Sequence, residues 1–269
     1  MSAKIPPPVV TRIPRHSFRW TLELLWNFAL QRIHLRYKET FLGFGWILFQ
    51  PVALTVIFNY IRRVATISSG NIPYSLFAAV GLVGWSFTSL AISQSMPSLV
   101  TDAALLRRIA LPKATFPLSC VLSTVVDLLV MLILVGGLFF YYRFPLHPTA
   151  LWAPLIFLIQ FVFLLGLGCL AALANVLLRD VGHAIPHLLW LWFFASPIFY
   201  PASMVPAEFK TLARWNPMVG FLESYRSVIL LGQPPPMHWF GPTLLVTALT
   251  CSLAVAAFRR MKGTLVDLL

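Results

Sequence analysis

"RYKETFLGFGWILFQPVAL" occupies residues 36–54 of a 269-residue chain and places charged residues directly beside an apolar run. The charged cluster holds Arg36, Tyr37, Lys38, Glu39 and Thr40, and the run after it is interrupted only by glycines, one Gln and one Pro. About 20 apolar residues in a helix cross a hydrocarbon layer. The stretch therefore predicts a helix that enters a membrane, with a polar cluster at its edge.

The composition of the whole chain agrees with this prediction. Hydrophobic residues make up 59% of the sequence and charged residues 10%, and the mean hydropathy is +0.82. Soluble domains carry about a quarter charged residues. The sequence therefore indicates an integral membrane protein, and the length of its apolar runs predicts an all-α fold.

The net charge of +12 does not indicate nucleic-acid binding, which needs a clustered basic face on a soluble module. The cations are better explained as residues that flank apolar spans near anionic headgroups. The cysteines Cys120, Cys169 and Cys251 lie far apart inside apolar runs. They match neither a metal site nor a disulfide framework, so we expect small buried hydrophobes.

The chain begins with a basic, proline-rich stretch, residues 1–16, which we expect to be a cytoplasmic tail. Residues 17–39 predict an amphipathic interface helix with Ser17 as N-cap. Its two faces recur at helical spacing: a polar stripe of Arg19, Glu23, Asn27, Gln31, His34 and Lys38, and an apolar stripe of Phe18, Leu22, Leu25, Ala29 and Ile33. The apolar stripe could meet the membrane interface or a soluble partner.

Residues 40–261 predict one transmembrane domain of six helices, followed by a cytoplasmic C-terminus, 262–269. The predicted spans are Thr40–Ile61, Ile72–Val100, Ala114–Tyr142, Thr149–Leu178, Ala184–Tyr200 and Trp239–Phe258. If both termini are cytoplasmic, the inner segments hold 14 Lys and Arg residues and the outer segments 6. This asymmetry obeys the positive-inside rule.

An outer segment, about residues 203–235, separates the last two spans. Asn216 and Pro217 predict a helix start, and Gly232 suits its end. One apolar face follows, formed by Met218, Phe221, Leu222, Tyr225 and Val228. The helix is too short to span, so we expect it to dip into the outer leaflet as half of a re-entrant hairpin, or to lie on that leaflet, as a candidate lining for an exit.

Motifs of common enzyme classes are absent from the sequence. It contains no GxxxxGK[ST] phosphate loop, no HExxH and no GxSxG. His183 and His187 have i,i+4 spacing without a third ligand, which favours interface residues over a metal site. Asp127 is the only acid within the predicted spans; an acid there indicates function, unless it pairs with a cation or with Ser123 and Thr124.

The sequence resembles the ABC-2-type permeases that export polysaccharides. Six stretches carry the resemblance in order over about residues 20–232: RYKETFLGFGWILFQPVAL, IPYSLFAAVGLVGWSF, LLRRIALPKATFPLS, NVLLRDVGHAIP, SPIFYP and NPMVGFLESYRSVILLG. Each alone is a weak motif, and six in sequence are specific. The similarity is to permeases for O-antigen, lipopolysaccharide and related surface polysaccharides, with teichoic-acid exporters near by.

The resemblance implies a homodimer working with two copies of a separate ABC ATP-binding subunit. That subunit would carry ATP and magnesium, while this chain would bind no cofactor, no metal and no nucleic acid and would have no catalytic residues. The substrate would be a polyprenyl-diphosphate-linked glycan, moved outward across the bacterial inner membrane.

Arg36, Tyr37 and Lys38 are the candidate binding site for the lipid diphosphate, since cations and a hydroxyl bind phosphate oxygens. The alternative is that they only anchor the helix to ordinary headgroups. Aromatic faces that let sugars slide would line the passage; the candidates are Trp46, Phe49, Phe58, Tyr60, Trp190, Trp192, Phe193, Phe194, Phe199 and Tyr200. Each could instead face lipid or the protein core.

Two further sites are predicted at the membrane faces. A short helix over residues 102–110, ended by Pro112, and the second inner loop would couple to the ATPase; their charged members are Arg107, Arg108, Arg179, Asp180 and His183. The alternative is a helix resting on the bilayer. At the outer side, Arg62, Arg63, Glu223 and Arg226 would form a gate for anionic groups, unless Glu223 and Arg226 are an ordinary i,i+3 pair.

Three other functions remain open from the residues alone. A related permease could export drugs or small lipids, and a scaffold could merely recruit an ATPase. A membrane glycosyl- or acyltransferase would need paired acids or a histidine site at a membrane face, and none is visible in the sequence.

Overall fold

The computed structural model describes residues 18–38, 43, 45–65, 72–108 and 112–261, with the side chains of residues 18, 63–65, 107 and 108 left undescribed. All regular secondary structure in these ranges is helical, which confirms the all-α prediction. The α-helices are α1 Phe18–Tyr37, α2 Gly45–Ala65, α3 Tyr74–Ser95, α4 Ser98–Thr101, α5 Ala103–Arg108, α6 Thr115–Tyr142, α7 Ala153–Leu177, α8 Val181–Phe194, α9 Lys210–Trp215, α10 Pro217–Ile229 and α11 Met237–Arg260. Short 3₁₀ turns cover Pro148–Trp152, Ala202–Met204 and Ala207–Phe209.

Four helical segments of the described chain are long and apolar enough to cross a membrane, namely Tyr74–Thr101, Thr115–Tyr142, Pro148–Leu177 and Met237–Arg260. They coincide with four of the six predicted spans. Helix α2 has 21 residues but includes Gln50, Asn59, Arg62 and Arg63. Helix α8 is apolar but has only 14 residues, fewer than the roughly 20 that a spanning helix needs.

The predicted fifth span, Ala184–Tyr200, is not helical over its whole length, which corrects the prediction of a helix there. Helix α8 stops at Phe194, and Ser196 to Tyr200 has irregular backbone. This segment runs along α3: the Tyr74 hydroxyl donates to the Phe199 carbonyl at 3.0 Å, and the Ile198 carbonyl lies beside Gly81. Pro197, which cannot donate a helical hydrogen bond, is one reason the helix ends here.

Helix α10 lies inside the helical bundle, against α3, α7 and α11. Its start is as predicted, because the Asn216 side chain accepts a hydrogen bond from the Met218 N–H at 3.0 Å and Pro217 occupies the first turn. The predicted apolar face is fully buried at Met218, Phe221, Leu222, Tyr225 and Val228. The helix is therefore enclosed by protein rather than spread on a surface.

A buried hydrogen-bond network fixes the position of α10 relative to α3 and α7. The Tyr225 hydroxyl donates to Gln160 Oε1 on α7. Gln160 Nε2 in turn donates to Thr88 Oγ1 and to the Gly84 carbonyl on α3, both at 2.8 Å. Because each unpaired buried polar group is costly, this network favours one register of the three helices.

Gly220 allows α10 to approach α11 closely, and its replacement should weaken the bundle. A Cβ at this position would lie 2.7 Å from the Trp239 carbonyl oxygen and would also overlap the Thr243 side chain. We expect Gly220→Ala to destabilise the protein by about 1–3 kcal/mol through overpacking, measured as a lower thermal midpoint in detergent. Gly241→Ala is the matched control, because a Cβ at Gly241 meets nothing within 4 Å; equal midpoints for the two variants would contradict the close approach.

Helix α1 packs lengthwise against the first half of α6. The predicted polar stripe is exposed, and Ala29 of the apolar stripe is buried while Leu22 is exposed. The face towards α6 also carries Arg32 and Arg36. The same chain thus covers much of the face for which a soluble partner was the alternative, and the predicted N-cap Ser17 lies outside the described residues.

Candidate functional site

The predicted diphosphate residues Arg36 and Tyr37 form a polar cluster with Asp127 of α6. Arg36 donates to Asp127 Oδ2 at 2.7 Å and to Ser123 Oγ at 3.2 Å, and the Tyr37 hydroxyl donates to Asp127 Oδ1. Asp127 is 1% exposed. Of the two alternatives for this acid, pairing with a cation is confirmed by Arg36. The hydroxyls of Ser123 and Thr124 donate instead to the Cys120 and Val121 carbonyls.

A second ion pair ties the same helix to the bundle one turn earlier. Arg32 donates to Asp102 Oδ2 at 2.5 Å and to Ser119 Oγ at 3.2 Å. Both charged side chains of this pair are about a quarter exposed, at 23% and 28%. Arg32 and Arg36 therefore hold α1 in a fixed register on α6, and Lys38 remains exposed just beyond them.

Partial burial and the hydrogen bond to Asp127 raise the pKa of Tyr37 to about 12. The hydroxyl is protonated at neutral pH, as in an ordinary tyrosine, and donates to the Asp127 carboxylate; the raised pKa matters only in alkaline solution.

This shift predicts a stability change in alkaline solution. A raised pKa means that the folded state favours the protonated phenol, so its contribution is complete below the unfolded pKa of about 10 and is lost as the pH rises towards about 12. We expect the thermal midpoint to fall more steeply over this window in the native protein than in Tyr37→Phe. Identical slopes would contradict a raised pKa of Tyr37 in the folded protein.

Two cavities lie beside the cluster and share Gln50 and Ser89 in their walls. The first, about 340 Å³, is bounded by Arg36, Tyr37 and Asp127 together with Trp46 of α2. The second, about 220 Å³, lies between Leu54 of α2, Trp85 of α3 and the α8 residues Leu189, Trp190 and Phe193. A charged cavity thus adjoins an aromatic cavity, with the uncharged polar side chains of Gln50 and Ser89 at their junction.

The ten predicted passage aromatics divide by exposure. Five are exposed on the surface of the single chain, between 53% and 71%: Trp46, Phe49, Tyr60, Trp190 and Phe194. Phe193 and Phe199 are mostly buried, and Phe58 stacks on Phe199. Phe193 still lines the second cavity, so its passage role stays a prediction, whereas Phe199 lines neither of these two cavities. Trp192 and Tyr200 are partly buried and line an outer cavity of about 740 Å³.

Sequence reasoning missed one wall of the two cavities. Trp85 lines the second cavity and makes an edge contact with Trp192 at 5.7 Å between ring centroids. Ser86, Ser89 and Ser93 lie on the same side of α3. The signal was present in the sequence, because serines at i, i+3 and i+7 share one face of a helix.

The predicted coupling segments lie at one end of the bundle. Helix α5 contains Arg107 and Arg108, whose side chains are not described, and residues 109–111 lie outside the described ranges. Leu106 of α5 is buried in a cluster with Leu99, Phe116 and Leu173, which belongs to the end of α7. The loop that follows α7 exposes Arg179 and Asp180, and the first turn of α8 exposes His183, on this same end. The two segments are therefore neighbours, as a shared docking face requires.

The outer gate prediction is wrong for Arg226. Its side chain is buried, 2% exposed, and donates to the Pro197 and Ile198 carbonyls, both at 2.6 Å, and to Glu223 at 3.1 Å. Its guanidinium also lies 3.7 Å from the centre of the Phe77 ring. The i,i+3 pair is present, and Arg226 supports the irregular segment after α8 rather than meeting a solute.

The other predicted gate residues are placed separately. Glu223 accepts a hydrogen bond from the Ala202 N–H at 3.2 Å and so belongs to the same framework as Arg226. The Arg62 guanidinium lies 5.2 Å from the centre of the Tyr74 ring. The side chain of Arg63 is not described. The described residues therefore do not assemble the four charges into one gate.

Helices long and apolar enough to span a membrane, with a charged and an aromatic cavity adjoining between them, are typical of the membrane subunit of a transporter. The model of the family described as ABC-2 type transporter matches residues 23–230. The chain belongs to this family, and it is thus a transport protein rather than an enzyme.

Similar proteins extend over most of the chain. The O-antigen export system permease protein RfbA of Myxococcus xanthus is 29% identical over 239 residues, 87% of this chain and 89% of that protein. The protein of the same name from Klebsiella pneumoniae is 24% identical, covering 81% and 84%. The polysialic acid transport protein KpsM of Escherichia coli is 23% identical, covering 86% and 90%.

Proposed function

We propose that this chain is the permease subunit of an ATP-driven exporter for a lipid-linked cell-surface polysaccharide of the O-antigen kind. The observation that carries the proposal is the junction of a charged cavity and an aromatic cavity at Gln50 and Ser89. A charged compartment suits the diphosphate of a carrier lipid, and an aromatic one suits sugar rings. The names of the similar proteins, which concern O-antigen and polysialic acid, support a polysaccharide substrate.

The diphosphate would bind at the edge of the first cavity, at Arg36, Tyr37 and Lys38. Charge-assisted hydrogen bonds from a guanidinium or an ammonium to phosphate oxygens are about twice as strong as neutral ones. Asp127 holds Arg36 and Tyr37 in place when no substrate is present. A diphosphate would have to share these donors with Asp127, so Lys38, which is exposed, would supply the additional positive charge.

The glycan would pass along the exposed aromatics of α2 and α8. Rings such as Trp46, Tyr60 and Trp190 offer flat apolar faces to sugar C–H groups, and Tyr and Trp add a hydrogen-bonding edge. In the single chain these faces are open. A homodimer would place a second set opposite them and close the passage, which is why we propose a dimer as the working unit.

Six crossings are proposed for each chain, with both termini in the cytoplasm of a bacterium and the protein in its inner membrane. Helix α2 would be the first crossing. Helix α8 and the irregular segment up to Tyr200 would together form the fifth, because that segment continues along α3 where the helix ends. Irregular backbone at membrane depth is tolerated when protein satisfies its carbonyls, as Arg226 does. Helix α10 would be the outward limb of a re-entrant hairpin.

Energy would come from two copies of a separate ATP-binding subunit that holds ATP and magnesium. These subunits would dock on α5 and on the junction of α7 and α8, where Arg179, Asp180 and His183 are exposed. Arg107 and Arg108 would add charge to the same face.

Reconstitution tests this function directly. The chain and its ATPase, purified together into vesicles, should move a polyprenyl-diphosphate-linked glycan across the bilayer only when ATP is hydrolysed. A glycan-specific lectin on the side of the membrane that receives the glycan measures the transported polymer. ATP-dependent movement of a fluorescent phospholipid with no movement of the glycan would replace this proposal with a small-lipid exporter.

A further inference from the structure

A second pair of cavities lies on the other side of α6, away from the proposed passage. The first, about 620 Å³, is a groove between α6, α7 and α11. Its floor is close-packed, since Gly166 of α7 lies against the backbone of Cys251, 3.1 Å from the position that a Cβ would occupy. Its walls are apolar and include Val162, Ala254, Val255 and Phe258.

The neighbouring cavity, about 580 Å³, lies between α1, α6 and α7. Its walls include Leu25 and Trp26 of α1 and Leu122 of α6, with Glu23 as its one charged member. Leu118 and Leu165 line both cavities. The two grooves therefore meet at these residues and form two apolar limbs that diverge around a common ridge.

Positive charge lies in the wall of the first limb only. Lys113 precedes α6 and Arg259 is the penultimate residue of α11, and both line this cavity. The start of α6 and the end of α11 thus lie together, at the end of the bundle that also holds Phe116 and Met261. Cations at the mouth of an apolar groove complement an amphiphile with an anionic headgroup.

We propose that this forked groove is a binding site for an anionic phospholipid. The headgroup phosphate lies at Lys113 and Arg259, and the two acyl chains occupy the two limbs on either side of Leu118 and Leu165. Two diverging limbs with one charged mouth match the shape of a two-chain lipid. A lipid held here contacts α1, α6, α7 and α11 at once, so it reinforces the packing of α1 against the bundle from the side opposite Asp127.

Charge also argues for a lipid as the occupant rather than a second copy of this chain. Lys113 and Arg259 line this groove, so two copies that met through these mouths would bring like charges together. An anionic headgroup neutralises the same residues. Juxtamembrane Lys and Arg each contribute about 1 kcal/mol to binding an anionic membrane surface, which corresponds to about thirtyfold in affinity for the two together.

Native mass spectrometry of the purified complex tests this site, with phosphatidylglycerol as the anionic probe and phosphatidylethanolamine as the zwitterionic one. We expect phosphatidylglycerol to bind more tightly, and Lys113→Gln with Arg259→Gln to weaken it by about thirtyfold. The outer pair Lys210→Gln with Arg214→Gln removes the same charge elsewhere and should change nothing.

A groove-filling variant tests the apolar limb without changing charge. Val255→Trp should abolish retention of either lipid, because Val255 lines the groove. Leu253→Trp, at an exposed position of the same helix outside the groove, is its control. Equal binding of the two lipids with no effect of either altered pair overturns the proposal. The proposal is also overturned if Val255→Trp still binds lipid but no longer associates with the ATPase or with a second copy of the chain. The groove would then be a protein interface.

Discussion

Arg36→Met should abolish export and strongly reduce the amount of folded protein. Removing the guanidinium leaves the Asp127 carboxylate buried, 1% exposed, with the Tyr37 hydroxyl as its remaining side-chain donor among the described contacts. Breaking a buried ion pair by deleting one partner costs about 3–5 kcal/mol. We expect low abundance in membranes, a lower thermal midpoint in detergent and no surface glycan.

A double variant separates the anchoring role of Arg36 from its proposed contact with diphosphate. Arg36→Met with Asp127→Leu replaces the ion pair by apolar side chains, which is often neutral for stability. We expect folded protein to return and export to stay absent, because the diphosphate has lost its guanidinium. Arg32→Met with Asp102→Leu is the comparison, since this pair also ties down α1 but does not line the cavity. Because Asp102 begins the predicted coupling segment, co-purification of the ATPase is measured for this variant beside export. Full export by the first double variant would leave anchoring as the whole role of Arg36.

Arg226→Leu should be the most damaging single change between α8 and α11. The side chain satisfies the Pro197 and Ile198 carbonyls and pairs with Glu223 while almost completely buried. Its removal leaves these acceptors unpaired in a membrane-embedded core, at a cost of about 1–3 kcal/mol for each lost partner. We expect most of the protein to be lost from membranes.

The exposed Arg214 of α9 gives the comparison for this variant. Arg214→Leu removes an outer arginine of the same segment and should leave abundance and thermal midpoint near native values. Proteolysis can then localise the damage in Arg226→Leu, because cleavage should appear first at Ser196 to Tyr200. Equal stability of the two variants would contradict a stabilising role for the hydrogen bonds from Arg226 to the Pro197 and Ile198 carbonyls.

Much of the fold could be predicted from the sequence because the strongest signals are local. Helix α6 starts and ends within one residue of its predicted span, since a long apolar run has sharp polar borders. Asn216 and Pro217 likewise marked the start of α10, because a cap is a property of neighbouring residues. Composition alone was enough to identify a membrane protein.

What the sequence could not give was the pairing of distant residues. Arg36 and Asp127 are 91 positions apart, and no local pattern distinguishes a phosphate ligand from an ion-pair partner. The burial of Arg226 was not visible in the sequence, because most of its hydrogen bonds go to the carbonyls of Pro197 and Ile198. These carbonyls are free to accept only because the backbone there is irregular. That backbone was itself predicted to be helical. The serine face of α3 was visible in the sequence, but only the structure shows that these serines line the two cavities.

The most direct test places a photo-crosslinking residue at position 89, where the two cavities meet. In the complete complex, supplied with the lipid-linked glycan, our account predicts glycan cross-links at this position that require ATP and disappear in Arg36→Met with Asp127→Leu. The same crosslinker at position 253, on an exposed face of α11, should capture phospholipid only. Cross-links from position 89 to phospholipid alone, during active glycan export, would show that the polymer does not travel past Gln50 and Ser89.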